Sequence, residues 1–200
     1  MSKPSTKFDS FGKLEGYTED NFDQKLEGLE TELTKEEMEE AFDELAKKEG
    51  RVTILGSGDR MDFLKNIKIA VQSLGNYRCI IIEKIPHFKY ETPRQKVHSF
   101  LSSSKFVIAD NCKPSGELLE LEYCRNAGVI TAILAQKSQK LASWMSIDFH
   151  IHSKDFELFD YEKEDVDYLK EFMKSVIVWV ENRCNEREQD IEDVKKRYGY

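Results

Sequence analysis

The sequence predicts an α/β fold in which helices cover both faces of a parallel β-sheet. Short apolar runs, such as residues 51–55 and 105–109, alternate with segments that carry apolar residues at helical spacing. Successive runs are separated by about twenty residues, which is enough for a helix in a right-handed βαβ unit. We therefore expect a flavodoxin-like sheet of five parallel strands, in the order 2-1-3-4-5, with extra acidic helices at the N- and C-termini.

The same pattern divides the chain into four segments. Residues 1–16 mix Ser, Lys, Pro and Gly without periodicity and are interpreted as a mobile tail. Residues 17–50 are expected to form an N-terminal helical extension, and residues 51–160 the α/β domain. Residues 161–200 are expected to form a long C-terminal helix with a charged tail.

The N-terminal extension carries two amphipathic patterns. Thr34 and Glu37 form a capping box that predicts the start of the second helix, and Gly50 predicts its end. The first helix is expected to present the apolar residues Phe22, Leu26, Leu29 and Leu33. Such helices cover the sheet or a neighbouring subunit, or they form an arm for a dedicated partner.

A glycine-rich turn, Gly56-Ser57-Gly58-Asp59, follows the first strand. A turn of this kind allows a ligand to approach the backbone closely, so these four residues are candidate ligand contacts; a purely structural tight turn is the alternative. Met61 stands where the dinucleotide fingerprint requires a glycine, and the sequence contains no GxxxxGK[ST] motif. Neither standard nucleotide-binding motif is therefore present.

Polar residues follow the third predicted strand. Asp110 and Asn111 are expected just past its carboxyl end, and Ser115 and Gly116 open the next helix, with Ser115 as the N-cap. Open parallel sheets bind ligands beyond the carboxyl ends of their strands, and a helix N-terminus favours anions there. Glu120, one turn inside this helix, is therefore a candidate nucleophile or stabiliser of a cation.

A motif runs through this stretch and consists of Ala109-Asp110, Ser115-Gly116, Glu120-Leu121, Tyr123, Cys124 and Gly128. It resembles the signature of the nucleoside 2-deoxyribosyltransferase-like group, which includes deoxynucleoside 5'-monophosphate N-glycosidases and is akin to TIR-like domains that cleave NAD. The sequence departs from that signature at Glu122, where the group usually has glycine, and it lacks the usual lysine-proline after Gly128.

The resemblance implies roles for individual residues. The residue matching Glu120 is the catalytic glutamate, and the serine matching Ser115 helps to hold a phosphate or a sugar hydroxyl. The acid matching Asp110 lies near the ribose, and the glycine-rich turn contacts base and sugar. Residues 51–160 would then be a nucleoside deoxyribosyltransferase-like domain.

Two further stretches carry side chains that suit a ligand. The irregular segment after the second strand is a candidate substrate lid, in which Tyr90 is placed to stack on a base. Residues 147–153 predict the fifth strand, where alternation would put His150 and His152 on one face. A third metal ligand is missing nearby, so we expect neither a metal site nor a cofactor, and NAD is considered only as a substrate.

Composition excludes several classes of protein. A net charge of −8 argues against binding of duplex nucleic acid. The sequence has no apolar run of the ~18–20 residues that a membrane helix needs, and its N-terminus lacks the apolar core of a signal peptide. We therefore expect a cytoplasmic protein with no membrane partner. The four cysteines show no CxxC pairing, which is typical of reduced thiols.

Three functions are compatible with the sequence. The first is an enzyme that cleaves the N-glycosidic bond of a nucleotide, nucleoside or NAD, or transfers the ribosyl group, with Glu120 as the catalytic carboxylate. The second is a non-catalytic nucleotide-binding or sensing module that passes a signal to partners through its terminal helices. The third is an interaction domain without a small ligand. The apolar stripes of the terminal helices further predict a homo-oligomer.

Overall fold

The computed structural model describes residues 29–30, 50–85, 87–88, 92–112, 117–137 and 144–198. Within these residues one sheet contains β1 (Arg51–Leu55), β2 (Arg78–Ile81), β3 (Phe106–Asp110), β4 (Thr131–Gln136) and β5 (Phe156–Tyr161). The strand order is β2-β1-β3-β4-β5, and each neighbouring pair is parallel. The predicted flavodoxin-like α/β fold is confirmed.

Helices cover both faces of this sheet. The described residues form α1 (Met61–Gln72), α2 (Pro93–Ser102), α3 (Glu117–Ala127), α4 (Trp144–His152) and α5 (Val166–Tyr198), with 3-10 turns at Gly58–Arg60 and Ile82–Lys84. Buried side chains of α1 and α5 form one hydrophobic layer with the sheet, and those of α2, α3 and α4 form the other. The sheet is therefore the middle layer of three.

The central strand β3 shows how the sequence produces this arrangement. All five of its residues are buried, which is why it is an uninterrupted apolar run up to Asp110. Phe106 and Ile108 belong to the α1/α5 layer, whereas Val107 and Ala109 belong to the opposite layer. Since side chains alternate along a strand, Asp110 continues on the α1/α5 side.

Two helix boundaries are set by residues suited to them. The Thr92 hydroxyl caps α2 by accepting a hydrogen bond from the Gln95 amide, and the Thr92 amide donates to Gln95 Oε1 in return. Pro93 occupies the first turn. Gly128 follows the last residue of α3 with φ of +62°, a conformation that favours glycine at a helix C-terminus.

The prediction of the fifth strand was wrong. Residues 147–153 belong to helix α4, and the fifth strand is β5, which begins at Phe156. Within α4, Ser146 and Phe149 are buried whereas Ile151 is exposed, and this spacing is that of a helix. The real edge strand was missed because its sequence, Phe-Glu-Leu-Phe-Asp-Tyr, is half exposed and partly charged.

The helical conformation also separates the two histidines that a strand would have aligned. Two positions along a helix turn a side chain through about 200°, so His150 and His152 do not share a face. His150 Nδ1 lies 3.4 Å from Glu157, and His152 Nε2 lies 3.3 Å from Asp148. Among the described residues, no group of three or more His, Cys, Asp or Glu side chains is arranged to hold a metal ion.

Only two residues of the predicted N-terminal extension before Gly50 are described. Leu29–Glu30 pair antiparallel with His87–Phe88, so the helix prediction was wrong for these two residues. The rest of the extension and the predicted tail, residues 1–28 and 31–49, lie outside the described residues.

Helix α5 is the longest described element. It begins at Val166, later than predicted, and packs Leu169, Met173 and Val180 against α1 and the sheet. The helix then continues for a further 18 residues to Tyr198. No helix in the described part of the chain has the length and apolar character needed to cross a membrane.

Candidate functional site at the carboxyl edge of the sheet

The carboxyl ends of all five strands lie at one edge of the sheet because the strands are parallel. The glycine-rich turn leaves β1 at this edge, and Asp110 ends β3 there. Tyr161 ends β5 at the same edge, and α3 begins there because it runs back along the sheet. These segments are the parts of the described chain that can surround a ligand at this edge.

Arg60 ties three of the strand ends together. Its Nε donates to Asp110 Oδ2 at 2.5 Å, while its Nη2 donates to the Tyr161 hydroxyl at 2.7 Å and to Glu164 Oε1 at 2.9 Å. The guanidinium also lies over the ring of Phe63, with 4.6 Å between Cζ and the ring centroid. The ends of β1, β3 and β5 are therefore cross-linked by one side chain.

Arg60 and Asp110 are both withdrawn from solvent, with 11% and 1% of their side chains exposed. Burial by itself lowers the pKa of Arg60, but Asp110 and Glu164 outweigh it and raise that pKa. Burial raises the pKa of Asp110, and the Cys112 thiol and the Arg60 guanidinium oppose this shift. Because Arg60 stays charged at every ordinary pH, it stabilises the ionised form of Asp110.

The side-chain oxygens of two consecutive residues at the end of β3 are buried acceptors. Asp110 Oδ1 and Asn111 Oδ1 have no hydrogen-bond partner among the described residues. The Asn111 amide nitrogen, in contrast, donates to Ser146 Oγ on α4 at 2.6 Å. Buried oxygens normally accept a hydrogen bond, so this pair suits a ligand that brings hydroxyl or N–H donors.

The glycine-rich turn lies directly against Asp110. A Cβ added at Gly56 would be 2.7 Å from Leu64 Cδ2 and 3.2 Å from Asp110 Cβ, so glycine is required for this approach. The next residues are more open: a Cβ at Gly58 would meet nothing within 4 Å, and the Ser57 hydroxyl donates to Asp59. Gly56 is therefore a packing position, whereas the next three residues of the turn form an open rim.

Substitution of the two glycines should separate these roles. We expect Gly56→Ala to lower the free energy of unfolding by about 1–3 kcal/mol, because the added methyl overpacks Leu64 and Asp110. Gly58→Ala is the matched control and should change it by less than about 0.5 kcal/mol. Urea denaturation of the three proteins measures both values, and equal losses for the two variants would contradict the packing account.

Glu120 approaches the edge from the other layer. It lies in the first turn of α3, next to Leu121, which is buried against the sheet together with Cys124. Its side chain is partly exposed. The structure therefore brings Glu120 and Asp110 to the same edge of the sheet but on opposite faces of it.

Three predicted site residues, Tyr90, Ser115 and Gly116, lie outside the described residues. Their roles in stacking a base and holding a phosphate or hydroxyl stay predictions. Sequence reasoning missed Arg60, Tyr161 and Glu164, which lie 50 to 104 residues from their partners in the chain. The only local signal for Arg60 was its position directly after the glycine-rich turn.

Cys112 also borders the site, with its sulfur 3.0 Å from the Tyr161 hydroxyl. Burial raises the pKa of this thiol to about 11, and that of Cys124 to about 12. At pH 8 a thiol with a pKa of about 11 is ionised in roughly one molecule in a thousand. Cys112 is therefore a weak nucleophile at that pH.

Alkylation of the folded protein should reflect this burial. All four cysteines are described as thiols outside any disulfide, and Cys184 is the least buried. We expect iodoacetamide at pH 8 to modify Cys184 first, because the other three thiols are buried and the reagent reaches them less easily. Peptide mass spectrometry after a time course gives the order, and faster labelling of Cys112 would mean that the edge opens in solution.

Among known proteins, similarity to this chain is found in solved structures. No family model matches the sequence, and no curated protein matches it. Among solved structures, the chain is similar to the CMP N-glycosidase BcmB of Clostridium botulinum, with 15% identity over 60% of this chain and 96% of that chain and a TM-score of 0.43. The strand order of the described residues is by itself that of a flavodoxin-like sheet.

Proposed function

We propose that the chain is an enzyme that cleaves the N-glycosidic bond of a nucleotide, a nucleoside or NAD, with Glu120 as the catalytic carboxylate. The observation that carries the proposal is the pair of buried acceptors, Asp110 Oδ1 and Asn111 Oδ1, at the carboxyl edge of a parallel sheet. Buried acceptors of this kind suit a ligand, such as a ribose, that brings hydroxyl donors. The motif around Glu120 supports the choice of bond.

Asp110 suits sugar binding better than covalent chemistry. Its Oδ2 accepts a hydrogen bond from the charged Arg60, which lowers its reactivity as a nucleophile and fixes its orientation. Its Oδ1 keeps the capacity to accept a hydroxyl proton. Asp110 therefore orients the ribose, while the partly exposed Glu120 is the carboxylate left for the reacting carbon.

Cleavage places a positive charge on the sugar. The bond between C1' and the base nitrogen breaks, the base leaves with the electron pair, and the ribose becomes an oxocarbenium-like cation. An ionised Glu120 stabilises this cation or forms an ester with C1'. Attack by water then releases ribose and a proton, whereas attack by an acceptor hydroxyl completes a transfer.

The experiment that tests the proposal is a search for a released base. Purified full-length protein is incubated with NAD, with ribonucleosides and their phosphates, and with the deoxy forms, and free bases are quantified by mass spectrometry. Release from at least one compound supports an enzyme. Tight binding without release would instead assign the protein to the nucleotide-sensing class, and neither binding nor release would overturn both.

A further inference from the structure

The distal segment of α5, residues 182–198, extends beyond the part of the helix that packs on the sheet. A single stripe runs along this segment and consists of Cys184, Arg187, Ile191, Val194 and Tyr198. The intervals of three and four residues are those of the a and d positions of a heptad repeat. Such a stripe is the contact surface of a helix that packs lengthwise against another helix.

The first two members of the stripe already have partners in the α/β domain. Cys184 packs against the hydrophobic layer of α1 and α5, and Arg187 Nη1 donates to the Gly128 carbonyl at 2.6 Å. Ile191, Val194 and Tyr198 continue the same face and are 52%, 52% and 68% exposed within the described part of the chain. The α/β domain thus covers the start of the stripe, at Cys184 and Arg187, and leaves the rest of it exposed.

The charges of the distal segment are arranged in two blocks. Five of the eight residues in 186–193 are acidic and one is basic, whereas residues 195–197 are Lys-Lys-Arg. Two parallel copies would place acid against acid and base against base. Two antiparallel copies would place the basic block of each against the acidic block of the other.

We propose that the distal segment pairs antiparallel with the distal segment of a second copy of this chain. Ile191 of each copy would pack near Val194 of the other, and the basic block would lie beside Glu188 and Asp190 of the other copy. The N-terminal extension of the same chain is a poorer occupant of this stripe, since residues 17–50 hold 13 acidic and four basic residues. It would face like charges along 186–193.

Sedimentation equilibrium of the full chain tests the pairing. Wild-type protein is expected to form dimers in the range up to about 100 μM and to dissociate at high salt, because the charge blocks are exposed. The double variant Ile191→Asp/Val194→Asp should raise the dissociation constant by more than about 100-fold, since it replaces two apolar contacts per chain. Val178→Asp is the control, because Val178 is 60% exposed on the same helix but off the stripe.

Charge reversal tests the orientation. The triple variant Lys195→Glu/Lys196→Glu/Arg197→Glu should raise the dissociation constant of an antiparallel dimer by about tenfold or more. In a parallel dimer the variant replaces one repulsive block by another, so the dissociation constant should change little. A wild-type protein that stays monomeric throughout, or a dimer that survives Ile191→Asp/Val194→Asp, would overturn the proposal. If the wild-type protein is monomeric and the double variant melts at a lower temperature than the wild type, another part of the same chain covers the stripe.

Discussion

Glu120→Gln is expected to abolish the release of a free base while leaving the fold unchanged. Glutamine keeps the size of the side chain but lacks the negative charge that stabilises the ribosyl cation and the electron pair that forms an ester. A loss of about 10³-fold or more in the initial rate is the expected size of the effect. Mass-spectrometric quantification of the base, with the substrate found by the screen, measures it.

Glu122→Gln is the matched control for this experiment. Glu122 lies on the same helix and pairs with Arg125 at 2.5 Å on the surface, so its replacement removes an exposed ion pair that contributes little. The rate of the Glu122→Gln protein should remain close to that of the wild type. If Glu120→Gln keeps most of the activity, the catalytic carboxylate is another residue, although the enzyme class would stand.

Arg60→Met is expected to cost about 3–5 kcal/mol of folding free energy at neutral pH. It leaves the buried Asp110 without its counter-charge and also removes the bonds to Tyr161 and Glu164. Arg183→Met is the comparison. Arg183 bonds Asp155 at 2.8 Å, but Asp155 is 25% exposed, so its charge remains hydrated when the partner is removed and the loss should be about 1 kcal/mol.

The cost of Arg60→Met should depend on pH in a defined direction. Without Arg60, burial raises the pKa of Asp110 further above its unfolded value, so the folded state binds a proton that the unfolded state releases. The part of the penalty that comes from the buried charge is therefore absent below the unfolded pKa of Asp110 and grows as the pH rises above it, whereas the part from the lost bonds to Tyr161 and Glu164 remains. Urea denaturation should show a smaller difference from wild type near pH 4 than at pH 7.

A second variant separates charge from packing in this cluster. Arg60→Met/Asp110→Asn should recover part of the stability lost by Arg60→Met, because no buried charge remains. If the double variant is no more stable than the single one, or if the loss is the same at every pH, packing around Phe63 accounts for the effect and the ion pair does not.

The central features of the fold could be predicted because they are local properties of the sequence. The residues of β1 and β3 are buried on both sides and hence form uninterrupted apolar runs. Gly128 ends α3 through a conformation that favours glycine, and Pro93 opens α2 because its missing N–H costs nothing there. Helical crossovers between such runs predict parallel strands.

The misplaced strand and the missed arginine have different physical causes. Strand β5 is at the edge of the sheet and half exposed, so its sequence has the mixed character of a surface segment, while the buried helix α4 has the apolar residues that a strand would have. Arg60 joins the cluster at the carboxyl edge only through residues that the fold brings to it. No spacing in the sequence links it to Asp110 or Glu164.

The position of α5 has a consequence for the synthesis of the chain. This helix covers the same face of the sheet as α1, whose apolar residues include Phe63 and Ile67. The ribosome releases α1 before α5, so that face of the nascent sheet is open to water and to other chains until the residues up to Val180 have emerged. The unfinished chain thus exposes apolar surface that the folded protein buries, which favours aggregation during synthesis.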